Sequence, residues 1–171
     1  MIAEFGHFAL ILAFMVSIYQ MTVPMVGAAK GWHGWMDSAR PAALAQLVLL
    51  AISFGALTIA FVTSDFSVLL VYENSHTSKP LIYKISGVWG NHEGSMLLWV
   101  LILAVFGAAA ALFGGNLPPS LQARVLGVQA SISAAFYAFI IFTSNPFWRM
   151  GNPPFDGRDL NPLLQDPGLA F

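Results

Sequence analysis

Four almost uncharged apolar stretches, at about residues 5–23, 42–62, 94–113 and 121–143, constrain this chain more than anything else in it. Each supplies the roughly 20 residues that an α-helix needs to cross the hydrocarbon core of a bilayer. In lipid, every backbone N–H and C=O must be paired within the protein, so a single such stretch crosses as a helix. Composition agrees, since 57% of the 171 residues are hydrophobic and 9% are charged, against roughly 25% charged in an ordinary globular domain. The expected fold is all-α: a polytopic integral membrane helix bundle of about four transmembrane helices, with ordered loops outside the bilayer.

The formal net charge is −1 and no cluster of Lys and Arg occurs. The chain therefore has no basic field to attract nucleic acid. It has no cysteine, hence no disulfide and no thiolate ligand of its own. Glu4 stands where a secretory signal would carry Lys or Arg, and the first apolar run is longer than a signal core. It reads as an uncleaved first span.

In chain order, Pro24 is expected to close the first span. Glu4 and His7, three residues apart, can pair on one face. Residues 25–41 read as a short polar connection in which Trp32 and Trp35 sit at headgroup depth. Pro41 suits the first turn of the second span. Residues 63–88 read as a loop with His76 in solvent; its 66–72 part fits a strand and an interfacial helix equally well. Pro80 is expected to open a short amphipathic helix from Leu81 to Trp89. Gly114 to Pro119 is a turn that no helix crosses, and Arg124, just beyond it, can extend back to the interface. Small residues such as Gly107, Gly127 and Ala130 allow close helix approach in lipid. Charge does not orient the chain: Lys30, Arg40 and Arg124 on one side stand against Lys79, Lys84, Arg149 and Arg158 on the other. The chain thus divides into a four-span region, 1–144, and a segment, 145–171, too rich in proline and polar residues for lipid.

Two stretches carry chemistry. The first is Trp89-Gly90-Asn91-His92-Glu93-Gly94-Ser95-Met96-Leu97-Leu98-Trp99. An imidazole and a carboxylate at the mouth of an apolar run are costly unless paired or placed at an interface or cavity. If helical, the run aligns Trp89, His92, Glu93, Met96 and Trp99 on one face. Such a stripe suits a flat, apolar, redox-active ligand, and it equally suits a packed helix with its polar tip in water. The second, Asp156-Gly157-Arg158-Asp159-Leu160-Asn161-Pro162-Leu163-Leu164-Gln165-Asp166-Pro167-Gly168, is either a loop ordered by Arg–carboxylate bonds and Asx turns or a place where Arg158 grips an anionic ligand group.

Both stretches, with Phe142-Thr143-Ser144-Asn145-Pro146-Phe147 between them, closely resemble the N-terminal region of the CcmF family, the haem lyases of bacterial cytochrome c maturation. The match is collinear over the chain. The resemblance implies a multi-pass protein of the bacterial inner (plasma) membrane with its motif loops on the periplasmic side. The complete protein would accept haem b, as substrate and as resident cofactor, from a membrane haem chaperone. It would promote thioether attachment to apocytochrome c alongside other cytochrome c maturation subunits. On this resemblance Trp89, His92, Glu93 and Trp99 shape the floor beneath a haem-handling loop. Arg158, Asp159, Asn161, Gln165 and Asp166 brace the segment leading to an axial ligand.

The family's Trp-rich haem-handling loop is missing from these 171 residues, and its axial histidines are expected beyond Phe171. No catalytic residue or metal ligand is therefore assigned. As a fragment or as one part of a divided protein, the piece alone is expected not to be catalytically competent. The rival reading is a non-catalytic scaffold or docking piece that binds other maturation subunits or the remaining spans. A proton-relaying transporter or respiratory subunit would need ionisable groups at mid-span, which the four apolar stretches lack.

Overall fold

The structure, a computed structural model, describes residues 1–158. Seven helices follow one another: α1 (Ile2–Lys30), α2 (His33–Asp37), α3 (Ala39–Val62), α4 (Leu69–Asn74), α5 (Leu81–Ser86), α6 (His92–Phe113) and α7 (Pro119–Phe142). Among the described residues there is no strand, only a single bridge between Val68 and Arg149. Helices α1, α3, α6 and α7 are long and apolar enough to cross a membrane. Helix α1 packs on α3 and α7, α3 on α6, and α6 on α7, which closes a four-helix ring.

Size rather than polarity decides which face of each long helix points inward. Ala9, Ala13, Ala56, Ala60, Ala104, Gly107, Gly127 and Ala130 are buried, whereas Phe5, Met15, Val48, Phe106, Val128 and Phe142 are exposed. Lipid is as apolar as leucine, so burying large side chains brings little gain, while small ones let backbones approach and gain dispersion contacts. The larger core residues, among them Leu10, Leu50, Leu57, Leu97 and Tyr137, fill the space between the alanine faces.

The structure corrects the expected end of the first span. Pro24 does not close it; the helix continues to Lys30, and Gly31 ends it in the left-handed conformation at φ 73°. Proline removes one intrahelical bond, a loss that neighbouring helices can offset inside a bundle. The carbonyl that loses its N–H is that of Gln20, and at the same turn the Gln20 side-chain amide donates to the Leu126 carbonyl at 3.2 Å, bonding α1 to α7. A side chain on Gly127 would begin 2.5 Å from Met25 Cγ, so this close approach of α7 depends on glycine. The expected connection at 25–41 is thus mostly helical. It carries Lys30 over the Trp32 ring at 4.6 Å and Trp32 edge-on to Trp35.

The segment 66–72 resolves towards a helix, α4, and Pro80 precedes α5 as expected, although that helix ends at Ser86 rather than Trp89. Arg124 Nη2 reaches the Ala28 carbonyl at 3.4 Å, tying α7 to the last turn of α1. The start of α1, the ends of α3 and α7 and the start of α6 lie together at one end of the ring. There α4, α5 and residues 143–158 form a cap.

Candidate functional site

The cap is built on the start of α6. Asn91 is extended (φ −138°, ψ 168°), and its Oδ1 accepts the Gly94 N–H at 2.7 Å, an N-cap of the expected kind. Its Nδ2 donates to the Gly87 carbonyl at 2.8 Å, and Ser95 Oγ donates to the Trp89 carbonyl at 2.5 Å. A Cβ on Gly94 would lie 1.7 Å from the Val88 carbonyl oxygen. Asn91, Gly94 and Ser95 therefore fold the chain entering α6 back against its first turn.

This arrangement breaks the expected stripe. Trp89 lies ahead of the cap, partly buried against the core, and not on the helix. Met96 packs inward and Glu93 is half-buried in the first turn, where the helix dipole favours a carboxylate. Among the described residues Glu93 has no ion-pair partner. His92 and Trp99 face outward, Trp99 with 61% of its surface exposed. Trp99 lines an apolar groove of about 340 Å³ between α6 and α7, with Leu103, Phe106, Ile132 and Phe136.

His92 joins two stretches that are far apart in sequence. Its Nε2 lies 3.2 Å from Ser144 Oγ, and its ring meets Phe139 edge-on at 6.2 Å. The next residue, Asn145, contacts His7 Nε2 through Nδ2 at 3.1 Å and accepts the Phe147 N–H at 2.9 Å. Phe147 stacks on His7, ring centres 6.1 Å apart. The pairing of Glu4 with His7 that their spacing allows is not formed. Instead Arg149 Nη2 lies 2.6 Å from Glu4 and Nη1 3.6 Å from Asp65, with Ser67 Oγ also in contact. Backbone bonds from Leu69 N to Trp148 O and from Met150 N to Ser67 O hold the two crossing segments together.

The last described residues dock on α4. Arg158 N donates to the Tyr72 carbonyl at 2.7 Å, and the Arg158 guanidinium lies 5.5 Å from the Tyr72 ring centre. His76, expected in free solvent, pairs with Asp156 at 3.2 Å. The Thr77 hydroxyl first, then the Thr77 and Gly157 N–H groups, hold the Asp156 carboxyl below its usual range. A depressed folded value means that the clamp's contribution is fully present above the unfolded value, about 4, and is lost as pH falls through the folded one. Protection of the Thr77 and Gly157 amides against exchange, corrected for intrinsic rate, is expected to hold from neutral pH down to about 4 and to fail only below it. Loss of protection well above that value would overturn the Asp156 clamp. Asp159, Asn161, Gln165 and Asp166 lie outside the described residues.

Arg149, Ser144, Asn145 and His7 were not among the expected site residues. No local pattern pairs Arg149 with Glu4, because their partnership depends on α1 and α7 lying side by side. A local signal for the Asn91 cap was present but not used, since an asparagine just ahead of an apolar helical run is a start signal.

A helix bundle with four membrane-crossing helices and a cap joining two loop motifs at one end defines a multi-pass membrane protein with a built surface platform. Comparisons then specify it. Residues 89–171 match the family model described as Cytochrome C assembly protein. Over 171 residues the chain is 70% identical to the cytochrome c-type biogenesis protein ccl1 of Rhodobacter capsulatus, covering all of this chain and 26% of that one. It is 62% identical to CycK of Bradyrhizobium diazoefficiens, over 99% of this chain and 26% of the relative. It is 44% identical to CcmF of Escherichia coli, over 100% and 27%. A solved structure titled Cytochrome c Heme Lyase CcmF superposes with a TM-score of 0.80 at 24% identity, over 89% of this chain and 26% of that chain, and shows the same fold. The chain belongs to the CcmF family of cytochrome c-type biogenesis proteins. It spans about a quarter of the length of the curated relatives it matches.

Proposed function

We propose that this chain is the part of a haem lyase that supports the haem-handling site, in a protein that accepts haem from a membrane haem chaperone and promotes its thioether attachment to apocytochrome c. Haem b is the substrate, and the complete protein also holds it as a cofactor. The protein lies in the bacterial inner membrane with the cap on the periplasmic side. Haem supplies the reactive vinyl carbons, and the chain's residues orient and exclude water. His92, steadied by Ser144 and Phe139, holds the start of α6 against the end of α7, and Trp89, partly buried against the core, lies just ahead of that helix start. Glu93 places a carboxylate at the cap without a described partner. Arg158, seated on Tyr72, aims the chain that continues through Asp159, Asn161, Gln165 and Asp166.

The observation that carries this reading is the His92–Ser144 contact, which joins two family-like motifs 52 residues apart on one platform. Replacing His92 or Arg158 by alanine in the complete protein is expected to lower covalent cytochrome c by roughly tenfold, the scale of losing a residue that orients a site. Bound haem should keep its axial spectrum. Haem staining of cytochrome c and an optical spectrum of the purified protein measure the two. Normal yield from both variants would remove these residues from the mechanism.

A second reading, a docking scaffold, is favoured by the apolar groove lined by Trp99, Phe106 and Phe136, which suits the remaining spans of the same protein. Under that reading the Trp99→Ala variant would lose co-purification of those spans while the His92→Ala variant would not.

A further inference from the structure

Inside the ring, three glutamines converge with a serine and a tyrosine. Gln46 Nε2 donates to Gln20 Oε1 at 2.7 Å, and Gln46 Oε1 accepts the Tyr137 hydroxyl at 2.8 Å. Gln20 Nε2 donates to the Leu126 carbonyl, and Gln129 Nε2 donates to the Leu103 carbonyl at 2.5 Å. A primary amide offers two N–H donors and an oxygen with two lone pairs. Among the described residues, one N–H of Gln20 and one of Gln46 have no further partner and Gln129 Oε1 accepts no bond, although Gln20 and Gln46 are buried. Free amide groups surrounded by lipid-spanning helices cost more than those in water, because no solvent satisfies them.

A cavity of about 10 Å³ lies between these groups, lined by Gln20, Gln46, Gln129 and Ser133, with the methyls of Ala43 and Ala104 completing the wall. That is the room one water molecule needs, and four polar neighbours meet its requirement for two to four partners. The space is maintained by Gly107: a Cβ there would fall 2.4 Å from Gln129 Nε2 and would push that amide aside.

We infer that this cavity is a binding site for a single water molecule, which accepts from the free N–H groups of Gln20 and Gln46 and donates to Gln129 Oε1 and Ser133 Oγ. The direct bonds join α1, α3 and α7, whereas α6 enters the network only through the Leu103 carbonyl. The water links the Gln129 amide, which grips α6, to the Gln20–Gln46 pair. It thereby extends the polar tie to all four helices and sets the position of the helix that carries His92 at its end.

The test is a map of the complete protein in a lipid nanodisc, at a resolution where ordered water is visible. The expected result is one isolated peak within hydrogen-bond distance of at least three of Gln20, Gln46, Gln129 and Ser133, lost in the Gln129→Leu variant while the helices stay in place. An empty cavity in the unsubstituted protein, or side chains that close over it and bond one another, overturns the inference. A peak that persists unchanged in Gln129→Leu overturns the assigned partner set. Should Gln129→Leu fail to fold, Ser133→Ala keeps the bundle's volume and removes one partner, and the peak should weaken or be lost.

Discussion

Alanine at Gly94 is expected to be the most damaging single-methyl change in the described chain, lowering the stability of the complete protein by about 3 kcal/mol or more. Its Cβ would sit 1.7 Å from the Val88 carbonyl oxygen and 3.0 Å from Asn91 Oδ1. The first atom is backbone and cannot rotate away, so the turn from α5 into α6 must open. Opening it also breaks the Asn91–Gly94 bond at 2.7 Å and draws Ser95 away from the Trp89 carbonyl. Asn91→Ala, which removes the cap and leaves the space alone, should cost only about 1 kcal/mol. Thermal unfolding of the purified protein compares them, with Gly115→Ala as reference because nothing lies within 4 Å of a Cβ there. With stabilities of natural domains near 5–15 kcal/mol, the Gly94 variant should also accumulate poorly and yield little covalent cytochrome c. A midpoint for Gly94→Ala equal to that of Gly115→Ala would refute the packing described for this turn.

Gly157→Ala should act on the cap and spare the bundle. A Cβ there would lie 1.9 Å from the Ser75 carbonyl oxygen and 2.8 Å from the Phe66 ring. The segment that places Arg158 over Tyr72 and Asp156 against Thr77 cannot then remain seated. The local cost is about 2 kcal/mol, enough to shift docked segment to undocked in most molecules when the seat rests on a few exposed bonds. Limited proteolysis should cut within residues 150–158 faster, while the four long helices remain protected. Gly151→Ala, with nothing within 4 Å, should leave the pattern unchanged. Equal cutting rates for the two variants would mean that the segment is not seated on α4. Covalent cytochrome c, measured alongside, reports whether the seat matters to haem attachment.

Most of the fold was legible because lipid imposes so few solutions on a chain. Apolar runs of spanning length, separated by Gly114–Pro119 or by polar loops, specify helices and their number without any knowledge of packing. Pro24 misled for a related reason. Read locally, proline ends a helix, yet inside a bundle its neighbours pack against the gap and the helix runs on for six residues, to Lys30. Trp89 misled because helical spacing was extended backwards past Asn91, whose capping side chain starts the helix one residue later, at His92.

The site divides in the same way. Hydration energies of single residues were enough to set the expectations of an imidazole and a carboxylate at a membrane interface and of a proline-rich segment outside lipid. It took the packing of the helices to bring His92 to Ser144, to give Glu4 to Arg149 rather than His7, and to join Gln20, Gln46 and Tyr137 in one network. Those partnerships depend on which helices lie side by side. In a bundle whose outer faces are mostly apolar, that choice is made by the fit of small residues and the pairing of scarce polar groups, neither of which leaves a periodic trace in the chain.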